Sequence, residues 1–255
     1  MNSFYGFIKE TRMGFRPVQA GIMRRFLREE GAWGSHLNNS RDYILKVVKE
    51  LKPKSVRILG SGWLLDIPIQ EMLELCDEIV LDDIVHPAQI ENKYSKFKKV
   101  RFEFADITNG VVDLCYKQKK NSFIFDTFLD QLNKIDPKLY SEDLIISGNI
   151  LSQSSVMLTD YLARSVKING QQITIISEII QQKHLESLPL DRSVLISDIE
   201  EEFYDEDDRF IGSKPTVYID LPKGKNQHEW LWSFDTKMVY KDDCKTKLKV
   251  LALTL

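Results

Sequence analysis

Ser55-Val56-Arg57-Ile58-Leu59-Gly60-Ser61-Gly62-Trp63-Leu64-Leu65-Asp66-Ile67-Pro68 is the stretch on which the reading of this chain turns. A short β-rich run meets two glycines, and Pro68 then presets the backbone for a helix, with Asp66 nearby as its capping group. The order is strand, tight turn, helix. Gly60 and Gly62 permit positive φ and let the backbone come close to a ligand beyond the strand end.

Two similar runs follow, Glu78 to Leu81 and Val100 to Ala105, closing on Asp82-Asp83 and on Asp106. The stretches between them, Ile67 to Cys76 and Pro87 to Phe97, can be helical. Such alternation predicts a parallel sheet with right-handed crossovers. A fourth strand at Asp143 to Ser147 and a fifth at Ser193 to Ser197 come after longer crossovers. The second of these holds a helix over Gln172 to Leu188, where Ile173, Ile176, Ile180, His184 and Leu188 recur at helical intervals. In the tail, Thr216 to Ile219, Glu229 to Phe234 and Lys247 to Leu253 have β character and are expected to finish the sheet as antiparallel strands. Ahead of the sheet, a break at Gly31 to Gly34 precedes a helix over Leu37 to Leu51, in which Tyr43, Ile44, Val47, Val48 and Leu51 share a face before Lys52-Pro53 ends it. The expected organisation is a helical cap over residues 1–52 and one α/β domain over 53–255.

A chain of 255 residues with 43% apolar content can bury a sizeable core. Its formal net charge of -3 lacks the basic excess of a phosphate-binding surface, so no nucleic-acid partner is expected. Cys76, Cys115 and Cys244 are odd in number and lack zinc spacing, which suits a reducing, cytoplasmic setting. No apolar run approaches the ~20 residues that span a bilayer, and Met1 to Ile8 holds no sustained apolar core of an export signal.

Open parallel sheets bind ligands beyond the carboxyl ends of their strands. A diphosphate-binding fingerprint would place a third glycine where Leu65 stands, and the Gly-Lys-Ser/Thr of a P-loop is absent, which disfavours NAD and ATP. A phosphate-free nucleoside such as S-adenosylmethionine passes this test. Asp83, roughly 20 residues beyond the glycines, is placed to accept both ribose hydroxyls. Asp106 is placed to accept from an adenine amino group while Ile107 packs on the base, and Ser147-Gly148-Asn149 lies where reacting groups would sit. Singly, each strand-end Asp reads more plainly as a turn or cap residue. Their joint spacing is the evidence.

From about Val56 onward these residues resemble the class I S-adenosylmethionine-dependent methyltransferase superfamily, on Ile58 to Gly62, Leu81-Asp82-Asp83, Phe104 to Ile107 and Ile145 to Asn149. More narrowly, Trp33 to Leu37, Gly60 to Pro68, Asp83 to His86 and Asn149 to Gln153 look like an uncharacterised bacterial methyltransferase-like group. The resemblance implies a Rossmann-like, mostly parallel seven-stranded sheet with a C-terminal antiparallel hairpin. It also implies S-adenosylmethionine as cofactor, with Gly60, Ser61 and Gly62 by the methionine moiety, Asp83 on the ribose, Asp106 and Ile107 on the adenine, and Asn149 near the methyl acceptor. Leu64 departs from the usual Gly-x-Gly-x-Gly. The fourth strand also lacks the Asn-Pro-Pro-aromatic motif of amino-group methyltransferases, so the acceptor stays open.

Methyl transfer needs a base only when the acceptor must lose a proton. His86, three residues past Asp83, and His36 are the candidates, against a plainer reading as hydrogen-bonded structural residues. Trp33, His36, Asn39 and Arg41 could form a lid over the cofactor, with Trp33, His36 and Arg41 on the substrate and Arg41 pairing a carboxylate, or simply pack the lead-in helix on the sheet. Asp198 to Asp208 reads as a solvated acidic loop, and no metal site is expected, since EF-hand spacing is missing. Trp230, Trp232 and Phe234 alternate on one face of a strand, as core or a homodimer contact. The expected function is a methyltransferase acting on a small molecule. A non-catalytic nucleoside-binding scaffold is the alternative, and a nucleotide-dependent oxidoreductase is disfavoured by Leu65.

Overall fold

β1 (Ser55–Leu59) is sheathed on both faces, which explains its near-continuous apolar run. The structure, a computed structural model, describes residues 2–255, with side chains described from residue 6 onward. β1 pairs in parallel with β2 (Glu78–Asp83) on one side and with β4 (Leu144–Gly148) on the other. β3 (Val100–Phe104) lies parallel outside β2, and β5 (Ser193–Tyr204) lies parallel outside β4. β8 (Lys245–Thr254) and then β7 (Lys225–Asp235) close the sheet antiparallel, giving the order β3-β2-β1-β4-β5-β8-β7. This is the seven-strand path with a terminal antiparallel pair that the sequence led us to expect.

An eighth strand, β6 (Phe210–Pro215), stands off that path and pairs with the far half of β5. β5 runs 12 residues where β4 runs 5, so its second half projects past its parallel neighbour and offers a free edge. Two sequence expectations are corrected here. Asp198 to Tyr204 is not a solvated loop but the continuation of β5, and Asp198 and Glu201 are both buried. Thr216 to Ile219 is not a strand. Its backbone is held by a helix side chain instead: Gln181 Nε2 donates to the Thr216 carbonyl at 2.9 Å, and the Tyr218 amide donates to Gln181 Oε1 at 2.8 Å.

Side chains alternate across the sheet as the pleat requires. Val56, Ile58, Ile146, Val194, Ile196, Val250 and Ala252 face the core beneath α3 (Gly34–Leu51), α4 (Ile69–Leu75) and α5 (Ala88–Tyr94). Leu59, Ile145, Leu195, Leu251 and Leu253 face the other side. Beyond them α6 (Val111–Tyr116), α7 (Phe125–Asn133), α8 (Gln153–Ser165) and α9 (Gly170–Glu186) form their own core around Phe128, Leu158 and Ile176. α1 (Asn2–Met13) and α2 (Phe15–Arg28) join at Gly14, whose φ of 96° lets the chain turn sharply there. Cys76, Cys115 and Cys244 are buried free thiols. No helix among the described residues is long and apolar enough to cross a membrane.

On the α6–α9 side Arg57 is buried, and its guanidinium gathers carboxylates from two neighbouring strands and a preceding loop. Asp82 lies at 2.7 Å, Glu103 at 2.6 Å and Glu142 at 2.7 Å. Lys138 adds a second cation on Asp82 at 3.2 Å. Adjacent in sequence, Asp82 and Asp83 point to opposite faces of β2. Asp82 therefore belongs to this ionic cluster, and Asp83 alone reaches the cavity described next.

Candidate active site

The glycine turn closes by donating the Gly60 amide to the Asp82 carbonyl at 2.8 Å and the Leu64 amide to the Ser61 carbonyl at 3.0 Å. Gly60, Gly62 and Leu64 have φ of 66°, 43° and 54°. Leu64 therefore adopts the left-handed backbone a third glycine would take, at a cost of about 1 kcal/mol, and its side chain is buried in the main core. The ligand side of the turn stays open, onto a cavity of about 530 Å³. Neither Trp63 nor Leu64 fills it. Asp66 caps no helix, for α4 starts at Ile69 with Pro68 before it and no side-chain cap, and instead Asp66 lines the cavity.

Asp83 lines that cavity. Its Oδ2 accepts from the Gly62 amide at 2.9 Å and from Gln19 Nε2 at 3.3 Å, and its Oδ1 accepts from the Val85 amide at 3.3 Å. Burial pushes its carboxyl above the usual range. Asp106 is differently committed. Oδ1 takes the Thr108 amide and hydroxyl, and Oδ2 takes the Gly110 and Val112 amides. A carboxylate has about four acceptor positions, and all are in use, so the expected hydrogen bond to an adenine amino group has no lone pair left. Asp106 shapes the loop that carries Ile107, and both line the cavity wall.

α2 covers the cavity together with Trp33 and His36, two of the expected lid residues, while Arg41 is not among the lining residues. Phe15, Val18, Gln19, Ile22 and Arg25 recur at helical spacing and all face the cavity. Trp63 Nε1 fastens α2 to the turn by donating to the Gln19 carbonyl at 2.7 Å. Arg41 donates to the Leu65 carbonyl and does not line the cavity, which corrects its expected role on substrate. The sequence did carry a signal for α2, the apolar periodicity of residues 15–25, but nothing in it says which surface that stripe covers.

His86 also stands off the cavity. It is buried behind the turn, with Nε2 at 2.9 Å from the Glu103 carbonyl, Nδ1 at 3.4 Å from Ser61 Oγ, and Phe102 and Phe104 edge-on to its ring. It braces the turn and does not line the cavity. His36 does line it, stacked on Trp232 at 3.8 Å. Trp230 Nε1 can only donate, and it does so to His36 Nδ1 at 3.1 Å. Burial lowers the His36 pKa to about 3. The ring is therefore neutral with its proton on Nε2 and offers no lone pair for general-base work.

Asn149, just past β4, has φ 53° and donates Nδ2 to Asp66 Oδ2 at 2.9 Å. Its Nδ2 stands 3.4 Å from His36 Nε2, a donor facing a donor, so Asp66 is what orients the amide. Asn149 Oδ1 is left without a partner among the described residues. Asp66 is raised by burial against its bond from Asn149.

Farther along, β5, β6 and β7 build a second lobe. A bulge between Asp198 and Glu200 shifts the pleat by one residue and brings Asp198 and Glu201 to the same face. Ser152 Oγ donates to Asp198 at 2.6 Å, and Glu201 receives Tyr240 Oη and Lys214 Nζ, each at 2.9 Å. Trp33, Trp232 and Phe234 complete the wall, with Trp33 edge-on to Trp232 at 4.8 Å and stacked on Phe234 at 5.8 Å. The alternating aromatic residues thus face inward onto α3 and the cavity.

The strand order is that of a Rossmann-like, mostly parallel sheet with a C-terminal antiparallel pair, and the cavity opens at its strand ends. No protein-family model and no curated protein matches the chain. Among solved structures it is similar to Burkholderia thailandensis 1,6-didemethyltoxoflavin-N1-methyltransferase with bound 1,6-didemethyltoxoflavin and S-adenosylhomocysteine. That likeness has 10% identity and a TM-score of 0.43, over 100% of this chain and 92% of that one. It is also similar to the N-methyltransferase NodS from Bradyrhizobium japonicum WM9, at 8% identity and TM-score 0.39 over 89% and 99%. A DhpI-SAM-HEP complex is similar at 7% identity and TM-score 0.39 over 94% and 95%. At such scores nothing about ligand or reaction passes from these proteins to this chain.

Proposed function

We propose that this chain is an S-adenosylmethionine-dependent methyltransferase for a small-molecule acceptor, with residues 1–52 as a helical cap on a Rossmann-like domain over 53–255. One observation carries the reading: the open Gly60–Gly62 turn and Asp83, at successive strand ends, share a single cavity with Asn149 and a separate aromatic lobe. Asp83 would hold the ribose, the turn the methionine moiety, and Ile107 the adenine face. Bound there, the sulfonium supplies an electrophilic methyl group. The chain's own part is to align the acceptor and exclude water. Asn149, its Nδ2 held by Asp66, has an unpartnered Oδ1 that suits an acceptor N–H or O–H, and Asp198, its carboxyl raised by burial, is the carboxylate on the aromatic lobe's wall suited to take a proton. A non-catalytic nucleoside-binding scaffold would use the same open turn, and turnover of an acceptor is what separates it from the enzyme.

Calorimetry with S-adenosylmethionine, S-adenosylhomocysteine and NAD tests the reading. Micromolar binding of the two sulfur compounds and none of NAD is expected. No heat from either sulfur compound would sink it.

Gln19 gives a second expectation. Its amide occupies the Asp83 oxygen that a ribose hydroxyl would use, and an ordinary hydrogen bond contributes about 1 kcal/mol. Gln19→Ala should then tighten S-adenosylhomocysteine binding by about fivefold, read by calorimetry. Weaker binding would instead make Gln19 part of the closed site.

A further inference from the structure

We propose that the aromatic lobe takes an oxyanion-bearing acceptor, a carboxylate or a phosphate ester on an apolar, planar body, and that Arg25 is the residue that selects the anion. The proposal rests on the reading of this cavity as a methyltransferase site and names the class of its acceptor.

Two cations stand on the cavity wall, Arg25 and Lys214. Lys214 is neutralised by Glu201 at 2.9 Å. Arg25 is half-buried, its Nε is sealed from solvent, and its guanidinium makes no hydrogen bond or ion pair among the described residues. Of the carboxylates near it, Asp235 is committed on both oxygens and Glu29 on Oε2, while Glu29 Oε1 is buried without a hydrogen bond, 3.5 Å from Arg28 Nε. Asp235 accepts the Val239 and Tyr240 amides and Arg28, and Glu29 accepts the Thr236 amide and hydroxyl. The guanidinium carbon lies 4.6 Å from the centroid of the Phe234 ring and 5.2 Å from that of Tyr240, two rings set at 88° to each other. Its N–H groups have no hydrogen-bond acceptor among the described residues. Burial lowers its pKa, yet a guanidinium keeps its charge in proteins. A planar fork of donors, packed against Phe234 and Tyr240 and left without an acceptor, matches the geometry of a carboxylate or phosphate.

Position separates this group from the cofactor end. Gln19 and Arg25 lie on one face of α2, six residues or about 9 Å apart along the axis. Gln19 meets Asp83 on β2, whereas Arg25 lies over Phe234 on β7, at the opposite edge of the sheet. Trp33, Trp232 and Phe234 beside it supply flat apolar walls.

The test titrates benzoate against benzamide, and phenyl phosphate against phenol, into the full chain with and without saturating S-adenosylhomocysteine, following cavity tryptophan fluorescence. At least one oxyanion should bind about tenfold more tightly than its neutral counterpart. The better of the two identifies the source of the charge. Arg25→Gln should erase that preference while leaving S-adenosylhomocysteine affinity within about threefold, and Arg25→Lys should keep part of it. Unchanged melting temperatures check that both variants fold. The proposal is overturned if neither oxyanion binds better than its counterpart, or if the preference survives Arg25→Gln. It is also overturned if Arg25→Gln chiefly weakens the sulfur nucleoside, which would assign the guanidinium to the cofactor's carboxylate. Failure of the methyltransferase reading shows separately, as absence of nucleoside binding, because the oxyanion pairs are also titrated without nucleoside.

Discussion

Asp83→Ala should weaken S-adenosylhomocysteine binding by about 100-fold or more, because it deletes the acceptor of both ribose hydroxyls and each charge-assisted hydrogen bond contributes ~1.5–3 kcal/mol. The effect is the largest expected of any single change at the cofactor end, since Asp106 has its lone pairs committed to its own loop. Asp83→Asn keeps the shape and one acceptor, and should lose less. Burial raises the Asp83 pKa, so the ionised form is disfavoured by folding. Stability from this group is present below the ordinary carboxylate range and is lost as pH rises through the raised value. Asp83→Asn should therefore melt at or above the wild-type temperature near pH 8 while binding nucleoside poorly. Calorimetric affinity of the alanine variant within threefold of wild type would remove Asp83 from the site.

The largest stability effect is expected at Arg57. Arg57→Met leaves Asp82, Glu103 and Glu142 around a missing cation, with Lys138 still on Asp82 and the more exposed Arg101 on Glu103 and 3.8 Å from Glu142. Stripping one partner from a buried ionic cluster costs about 3–5 kcal/mol, or about 10 °C in melting temperature for a chain of this length. The pH dependence has a definite sign. The hydrogen bond from Arg57 holds Glu103 down to about 2, and at Glu142 burial pushes up but the Arg57 bond wins and the pKa is lowered. Depressed carboxylates stabilise the fold above their ordinary range near 4.5 and lose that contribution as pH falls toward about 2. The gap between wild type and Arg57→Met should thus be wide near neutrality and narrow in acid. Urea titrations showing less than about 1 kcal/mol between them at neutral pH would contradict the cluster's role.

Much of the fold was legible before any coordinates. Strands that alternate with helices, and that end in Gly or Asp, constrain a sheet because local period and turn chemistry are written residue by residue. The misreadings fall where a segment's state depends on a distant neighbour. Asp198 to Tyr204 looks like a solvated acidic run, yet it is a strand because β8 and β6 supply ladders on both sides. Thr216 to Ile219 looks like a strand, yet Gln181 of α9 has taken its backbone groups.

The site divides in the same way. The Gly60–Gly62 turn and Asp83 follow from spacing along one chain, since strand ends in a parallel sheet gather at one edge. Whether His36 is a base or a spectator was decided by Trp230, nearly two hundred residues away, whose indole N–H takes the only free lone pair on the ring. Arg25 and Gln19 carry no motif at all. The sequence determined the order of strands, turns and helices, because those are short-range preferences. Only the tertiary structure decided which polar groups were left without partners, since a partner's absence is a property of everything packed around a group. Arg25 is the clearest instance: it carries no motif in its own helix, and it is the wall's unpaired cation because Asp235 has turned to Arg28 and two backbone amides and Lys214 has Glu201.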